Sequence, residues 1–110
     1  MTDTSQETQW TEVAHLEDIP ALGGRTLITT AGTLALLRNE SGEVFAVDNR
    51  RPHKGGPLSE GYVSGNTVYC PLHNWQIDLR CGKAREPDVG CVRTWPVRIV
   101  GDRVFLKLPP

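Results

Sequence analysis

No stretch of about 18 consecutive apolar residues occurs in this chain, so nothing in it is long enough to cross a membrane as a helix. The opening segment, Met1 to Gln9, lacks the basic start and apolar middle of a secretory signal, and the expectation is a cytoplasmic protein that binds no membrane. An excess of one charge is also missing. Twelve Lys and Arg against thirteen Asp and Glu leave a net charge of −1, so no basic field is available for a phosphate backbone and nucleic acid is not an expected partner. No segment repeats the 3.6-residue apolar period of an amphipathic helix, and no internal repeat or linker divides the chain. Cysteine is scarce and odd in number. In a reducing cytosol Cys70, Cys81 and Cys91 read as thiols or metal ligands, not as a disulfide framework. A length of 110 residues allows one domain with a modest core, and a hydrophobic content of 38% is enough to offset the entropy of ordering it.

What the chain does have is a succession of short apolar segments separated by Gly, Pro and Asn turns, the pattern of an all-β sandwich or partly open barrel. Strands are predicted at Trp10 to Ala14, Arg25 to Thr30, Thr33 to Leu37, Val44 to Asp48, Tyr62-Val63, Thr67 to Cys70 and Trp75 to Leu79. A final hairpin joins Trp95 to Val100 with Arg103 to Leu108 through the two-residue turn Gly101-Asp102. The folded domain is expected over residues 10–110, with residues 1–9 poorly ordered.

Irregular loops interrupt this pattern. The first, Asn49 to Gly61, holds Pro52, Pro57, Gly55 and Gly56 and cannot continue a central strand, because proline lacks a donor and glycine costs entropy. The second is Pro71 to Asn74. A third, Glu86 to Gly90, precedes the last hairpin. Loops on a rigid β scaffold are where function concentrates. The first two read Arg51-Pro52-His53-Lys54-Gly55-Gly56 and Cys70-Pro71-Leu72-His73-Asn74-Trp75. Paired loops of the form Cys-x-His and Cys-x-x-His give two thiolates to one iron and two neutral imidazoles to the other iron of a Rieske [2Fe–2S] cluster. Here the first loop reads Arg-x-His. A hairpin between His53 and Cys70 can bring the loop tips together, and Gly55 and Gly56 let backbone N–H groups approach a cluster. A cluster with imidazoles in place of two thiolates has a raised reduction potential, and its use is electron transfer.

From about Trp10 to Leu108 the chain resembles the small subunit of the assimilatory NAD(P)H-dependent nitrite reductases, a Rieske-like family. The resemblance is carried by the run from Pro52 to Gly61, by Cys70 to Trp75 with Ile77-Asp78-Leu79, and by Gly90-Cys91 ahead of Pro96-Val97-Arg98. It implies a cytoplasmic accessory subunit without a complete active site of its own. Its partner would be a large subunit carrying FAD, an iron–sulfur cluster and sirohaem, which reduces nitrite to ammonium. The resemblance also implies a [2Fe–2S] cofactor with His53, Cys70 and His73 as ligands, and a third loop, Glu86 to Cys91, covering it. Position 51 departs from the pattern, because cluster-bearing members have cysteine where this chain has Arg51. A guanidinium stays protonated and offers donors but no lone pair.

Three readings of the site stay open on the sequence. One is an absent or labile cluster on a retained scaffold. Another is a cluster held by His53, Cys70 and His73 with water or a recruited thiol, such as Cys91, in fourth place. The last is a single ion such as zinc on the same three residues. The function is open in parallel: a nitrite reductase subunit, a free-standing Rieske ferredoxin serving an aromatic-ring oxygenase, or a redox-silent interaction module. Lys54-Gly55-Gly56 and Ile77-Asp78-Leu79 favour the first. Arg50, Arg51 and Lys54 form either a solvated surface or a basic rim for an acidic redox partner. No nucleophile–base pair or carboxylate pair stands out. Cys81 and His15 are expected to have no role, and Trp10, Trp75 and Trp95 are expected to pack.

Overall fold

A computed structural model of the chain describes residues 9–29, 32–49, 58–69, 76–84 and 90–108. Its strands are β1 (Gln9–His15), β2 (Gly24–Thr29), β3 (Gly32–Arg38), β4 (Val44–Asp48), β5 (Tyr62–Ser64), β6 (Thr67–Tyr69), β7 (Gln76–Asp78), β8 (Thr94–Trp95), β9 (Val97–Val100) and β10 (Arg103–Leu108). Short 3-10 turns occupy Leu16–Asp18 and Leu58–Glu60. The strands form three antiparallel sheets in the orders β1-β10-β9, β2-β3-β4-β8 and β5-β6-β7. The expected all-β class is therefore borne out. No helix among the described residues is long and apolar enough to cross a membrane.

The central strand β3 explains how the sheets stack. Successive side chains on a strand point to opposite faces, yet Leu34, Ala35, Leu36 and Leu37 are all buried, which requires cover on both sides. On one face Leu34 and Leu36 pack with Ile19, Val44, Ala46, Val104, Leu106 and Leu108. On the other, Ala35 and Leu37 pack with Val47, Leu58, Val63, Val68, Ile77, Leu79 and Val92. The β2-β3-β4-β8 sheet is thus the middle layer, and the small β5-β6-β7 sheet rides on its second face. At about 1.5–3 kcal/mol for each fully buried large aliphatic side chain, these two cores are the main source of stability.

The predicted strands fall where the sequence put them within a residue or two, with one instructive split. Trp95 to Val100 reads as one strand but is two, broken at Pro96. Proline has no N–H to donate, and at this point the chain changes sheets. Thr94 and Trp95 pair with Val47 and Ala46, whereas Val97 to Val100 pair with β10. In the closing hairpin Val100 pairs with Arg103, and Gly101 takes a φ of 63°, as the first position of a type II′ turn requires.

The small sheet is tied to the middle layer at the end carrying its β5–β6 turn by the buried Asn39, whose amide meets every one of its obligations. Its Nδ2 donates to Glu43 Oε1 at 2.8 Å and to the Gly65 carbonyl at 2.7 Å, and its Oδ1 accepts from the Ser41 and Glu43 N–H groups. Along its edge, the Val63 N–H donates to the Leu22 carbonyl at 3.0 Å.

Candidate functional site

The two ends of the first loop are held by a polar cluster. β4 delivers the chain to Asn49, whose own N–H donates to the Thr33 carbonyl at 3.0 Å. Asn49 Oδ1 accepts from the Ser59 N–H at 2.9 Å, and Asn49 Nδ2 donates to Thr26 Oγ1 at 3.1 Å. The Thr26 and Ser59 hydroxyls share a further bond of 2.9 Å. One asparagine therefore joins the residue entering the loop to a residue leaving it and to the neighbouring strand β2. Beyond Ser59, the Leu58–Glu60 turn closes through the Gly61 N–H and the Leu58 carbonyl at 2.9 Å, with Leu58 fully buried in the core.

The other two loops are closed by strand pairing. Tyr69, the last described residue before the second loop, pairs directly with Gln76, the first described residue after it, and Tyr69 also pairs with Tyr62. For the third loop, the Ala84 N–H donates to the Gly90 carbonyl at 2.9 Å, while Ala84 bridges to Ile77 and Lys83 to Cys91. Because Tyr62, Tyr69 and Gln76 form one row across the small sheet, the first two loops adjoin the same end of it. The third adjoins that end through Ala84. The first two of these residues are solvent-facing, Tyr62 being 54% and Tyr69 37% exposed, with ring centroids 6.3 Å apart.

Arg51, His53, Cys70 and His73 lie outside the described residues, as do Arg50, Lys54 and the stretch 85–89 of the third loop. Cys91 is described: it is an exposed free thiol paired with Lys83. That places it in the row of Thr67 and Asp78, two residues back from the row that borders the first two loops. Cys81 is also free and exposed, in the turn that follows β7, away from the loop end. Among the described residues no group of three or more His, Cys, Asp and Glu side chains gathers as a metal site. His15 is half exposed and sits 3.9 Å from Glu12 and 4.0 Å from Asp102 on the outer sheet, far in the topology from the loops.

Beside the first loop, Asp48 Oδ1 accepts from Trp95 Nε1 at 3.3 Å, and Arg93 stands over the Trp95 ring at 4.9 Å with its Nε 3.7 Å from Asp48 Oδ2. Trp95 is half-buried against the first core and Trp10 lies under the Arg98 guanidinium at 4.3 Å, so these two act in packing as expected, while Trp75 lies outside the described residues. Asn49, Ser59 and Thr26 are the residues that sequence reasoning missed. An Asn at a strand exit is a turn signal, but its partners lie 10 and 23 residues away and nothing local reveals them.

The model of the Rieske [2Fe-2S] domain matches residues 9–96 of the chain. The ferredoxin component of the naphthalene 1,2-dioxygenase/salicylate 5-hydroxylase systems of Ralstonia sp is 35% identical over 100 residues, spanning 90% of this chain and 95% of that protein. The naphthalene 1,2-dioxygenase system ferredoxin component of Pseudomonas putida is 36% identical over 102 residues, spanning 91% and 96%. Among solved structures, a Mycobacterium tuberculosis protein described as an NADH-dependent nitrite reductase small subunit superposes with a TM-score of 0.80 at 23% identity, over 94% of this chain and 97% of that one. The ferredoxin of carbazole 1,9a-dioxygenase from Nocardioides aromaticivorans gives 0.77 at 24% identity, over 92% and 98%. At these identities the structural likenesses establish the fold.

Proposed function

The chain belongs to the Rieske [2Fe–2S] domain family of electron-transfer modules, and from that premise we propose that it serves as the small accessory subunit of an NAD(P)H-dependent nitrite reductase. Its partner in this reading is the large subunit bearing FAD, an iron–sulfur cluster and sirohaem, and the complex reduces nitrite to ammonium. The observation that carries the reading is Arg51. A free-standing carrier has one working part, its cluster, and a Rieske cluster takes two thiolates and two imidazoles. A subunit also contributes by binding its partner, so its scaffold keeps a use when one ligand is lost. The motif runs Pro52 to Gly61 and Cys70 to Trp75 support the same assignment.

The donor set does not fit a complete Rieske cluster. His53, Cys70 and His73 can supply two imidazoles and one thiolate, but Arg51 brings a fixed cation with no lone pair to the position of the second thiolate. No electron-transfer step is therefore derived for the chain as it stands. What its described residues can do is hold the loop ends in register beside the exposed Tyr62 and Tyr69, a polar-tipped aromatic pair suited to contact with a partner.

A second reading has its own support. The ferredoxin components are 35–36% identical over nine-tenths of the chain, which favours a ferredoxin serving a ring-hydroxylating oxygenase. The two separate on partners. An affinity-tagged chain expressed from its own locus should co-purify with a large sirohaem-containing flavoprotein, and its deletion should lower nitrite-dependent ammonium formation. A deletion strain with unchanged nitrite reduction, and a tagged chain recovered with an oxygenase, would sink the subunit reading.

A further inference from the structure

We propose that this chain is a Rieske scaffold uncoupled from its cluster: residue 51 alone withholds the fourth ligand, the frame stands without metal, and Arg51→Cys is sufficient to load a [2Fe–2S] cluster. The inference rests on the family membership and the loop bases, and is independent of which enzyme the chain serves.

Metal sites commonly couple to folding, because the ligands are gathered only in the folded state and binding energy then holds the fold together. In this chain the described ends of the loops are joined by protein groups. The first loop is closed by the Ser59 N–H on Asn49 Oδ1, the second by the direct pairing of Tyr69 with Gln76, and the third by the Ala84 N–H on the Gly90 carbonyl. Beneath them Leu58, Val63, Val68 and Ile77 are fully buried in one cluster. These contacts run between protein groups, and none of them involves residue 51, 53, 70 or 73. The frame that a cluster would otherwise brace is braced by the protein.

The chemistry of the donors isolates the defect to one side chain. His53, Cys70 and His73 keep the -x- and -x-x- spacing, so exchanging Arg51 for cysteine completes the set and replaces a cation by a thiolate at the missing ligand position. The remaining thiols are poor replacements. Cys91 lies two residues back from the row bordering the first two loops, about 7 Å at the rise of a strand. Cys81 lies in the turn at the far end of β7.

The test uses the wild-type chain, Arg51→Cys and Arg51→Ser, purified anaerobically and reconstituted side by side with ferrous iron and sulfide. Iron, acid-labile sulfide and visible circular dichroism report the cluster, and far-UV circular dichroism with and without a chelator reports the fold. Arg51→Cys is expected to hold iron and sulfide in equal amounts, about tenfold or more above wild type, with visible dichroic bands of a Rieske centre. Arg51→Ser, which removes the cation without adding a thiolate, should stay at the wild-type level. Wild type should melt at the same temperature with and without chelator. Equal iron and sulfide in wild type would overturn the proposal, as would a folded Arg51→Cys chain that takes up none. Loading of Arg51→Ser would show that charge, and not a missing ligand, was the obstacle. A wild-type chain that unfolds on chelation, or an Arg51→Cys chain unfolded before reconstitution, would refute the uncoupling.

Discussion

Asn49 and Ser59, near the two ends of the first loop, are joined by a 2.9 Å hydrogen bond, with the Ser59 N–H donating to Asn49 Oδ1. Ser59 is buried, so its N–H has no easy recourse to water when that acceptor is lost. Asn49→Ala should destabilise the chain by about 1–3 kcal/mol, the range for stranding a buried donor. Asn49→Asp keeps the acceptor and loses only the donor to Thr26, so it should recover part of that loss. Urea denaturation of the two variants checks the order. Equal losses would mean that the bond to Thr26, and not the closure onto Ser59, does the holding.

Gly61 sits where the returning loop enters the small sheet, and the approach is close. A Cβ there would lie 2.6 Å from Val68 Cγ2 and 2.9 Å from the Tyr69 carbonyl oxygen. Gly61→Ala should cost about 1–3 kcal/mol through overpacking, because the second neighbour is backbone and cannot swing away. Gly23→Ala is the control. Its nearest contact would be an ordinary 3.6 Å, and it should change stability by less than about 0.5 kcal/mol. Thermal unfolding of both variants measures the contrast.

The contrast also shows what was legible beforehand. Strand positions could be read because apolar runs such as Val44 to Asp48 and Arg103 to Leu108 are bounded by turn residues, a local signal. The break at Pro96 escaped because proline at a strand edge is tolerated, and only the three-sheet stacking forces a change of sheet there. The Leu58–Glu60 turn escaped for a similar reason, since its one fully buried residue, Leu58, is fixed by long-range packing. The candidate ligands His53, Cys70 and His73 rest on their spacing in the sequence and lie outside the described residues. The residues that hold the loop ends, Asn49, Thr26 and Ser59, were not legible, because polar side chains at such separations carry no periodic mark.

Burial of β3 on both faces makes a prediction that a one-sided strand would not. Leu36 and Leu37 are adjacent and point to opposite cores, each fully buried. Truncating either to alanine should cost about 2–5 kcal/mol, since each leaves a cavity in a packed cluster. In a strand with one solvated face one of the two would be nearly silent. Chemical denaturation of Leu36→Ala and Leu37→Ala decides it, and a near-neutral result for either would remove one of the two cores from the account.

The end of the small sheet remote from the loops carries a carboxylate contact that makes stability depend on pH. Glu40 Oε1 accepts from the Gly65 N–H at 3.0 Å, and this bond holds the Glu40 carboxyl below the ordinary glutamate value. A carboxyl whose folded pKa is lowered binds its proton more weakly in the folded chain than in the unfolded one. Its contribution is therefore present above the unfolded pKa and is lost as the pH falls through the folded one. Glu40→Gln cannot ionise and should lack that pH-dependent part. Wild type should thus be the more stable of the two at neutral pH, with the difference shrinking through the acidic range until the two unfolding midpoints converge. The effect should be small, because Glu40 is solvent-facing and its neighbour Asn39 already ties the same turn through the Gly65 carbonyl. A difference that stayed constant from neutral to acid would mean that Glu40 acts by packing or local geometry, and that its ionised form does not clamp the small sheet.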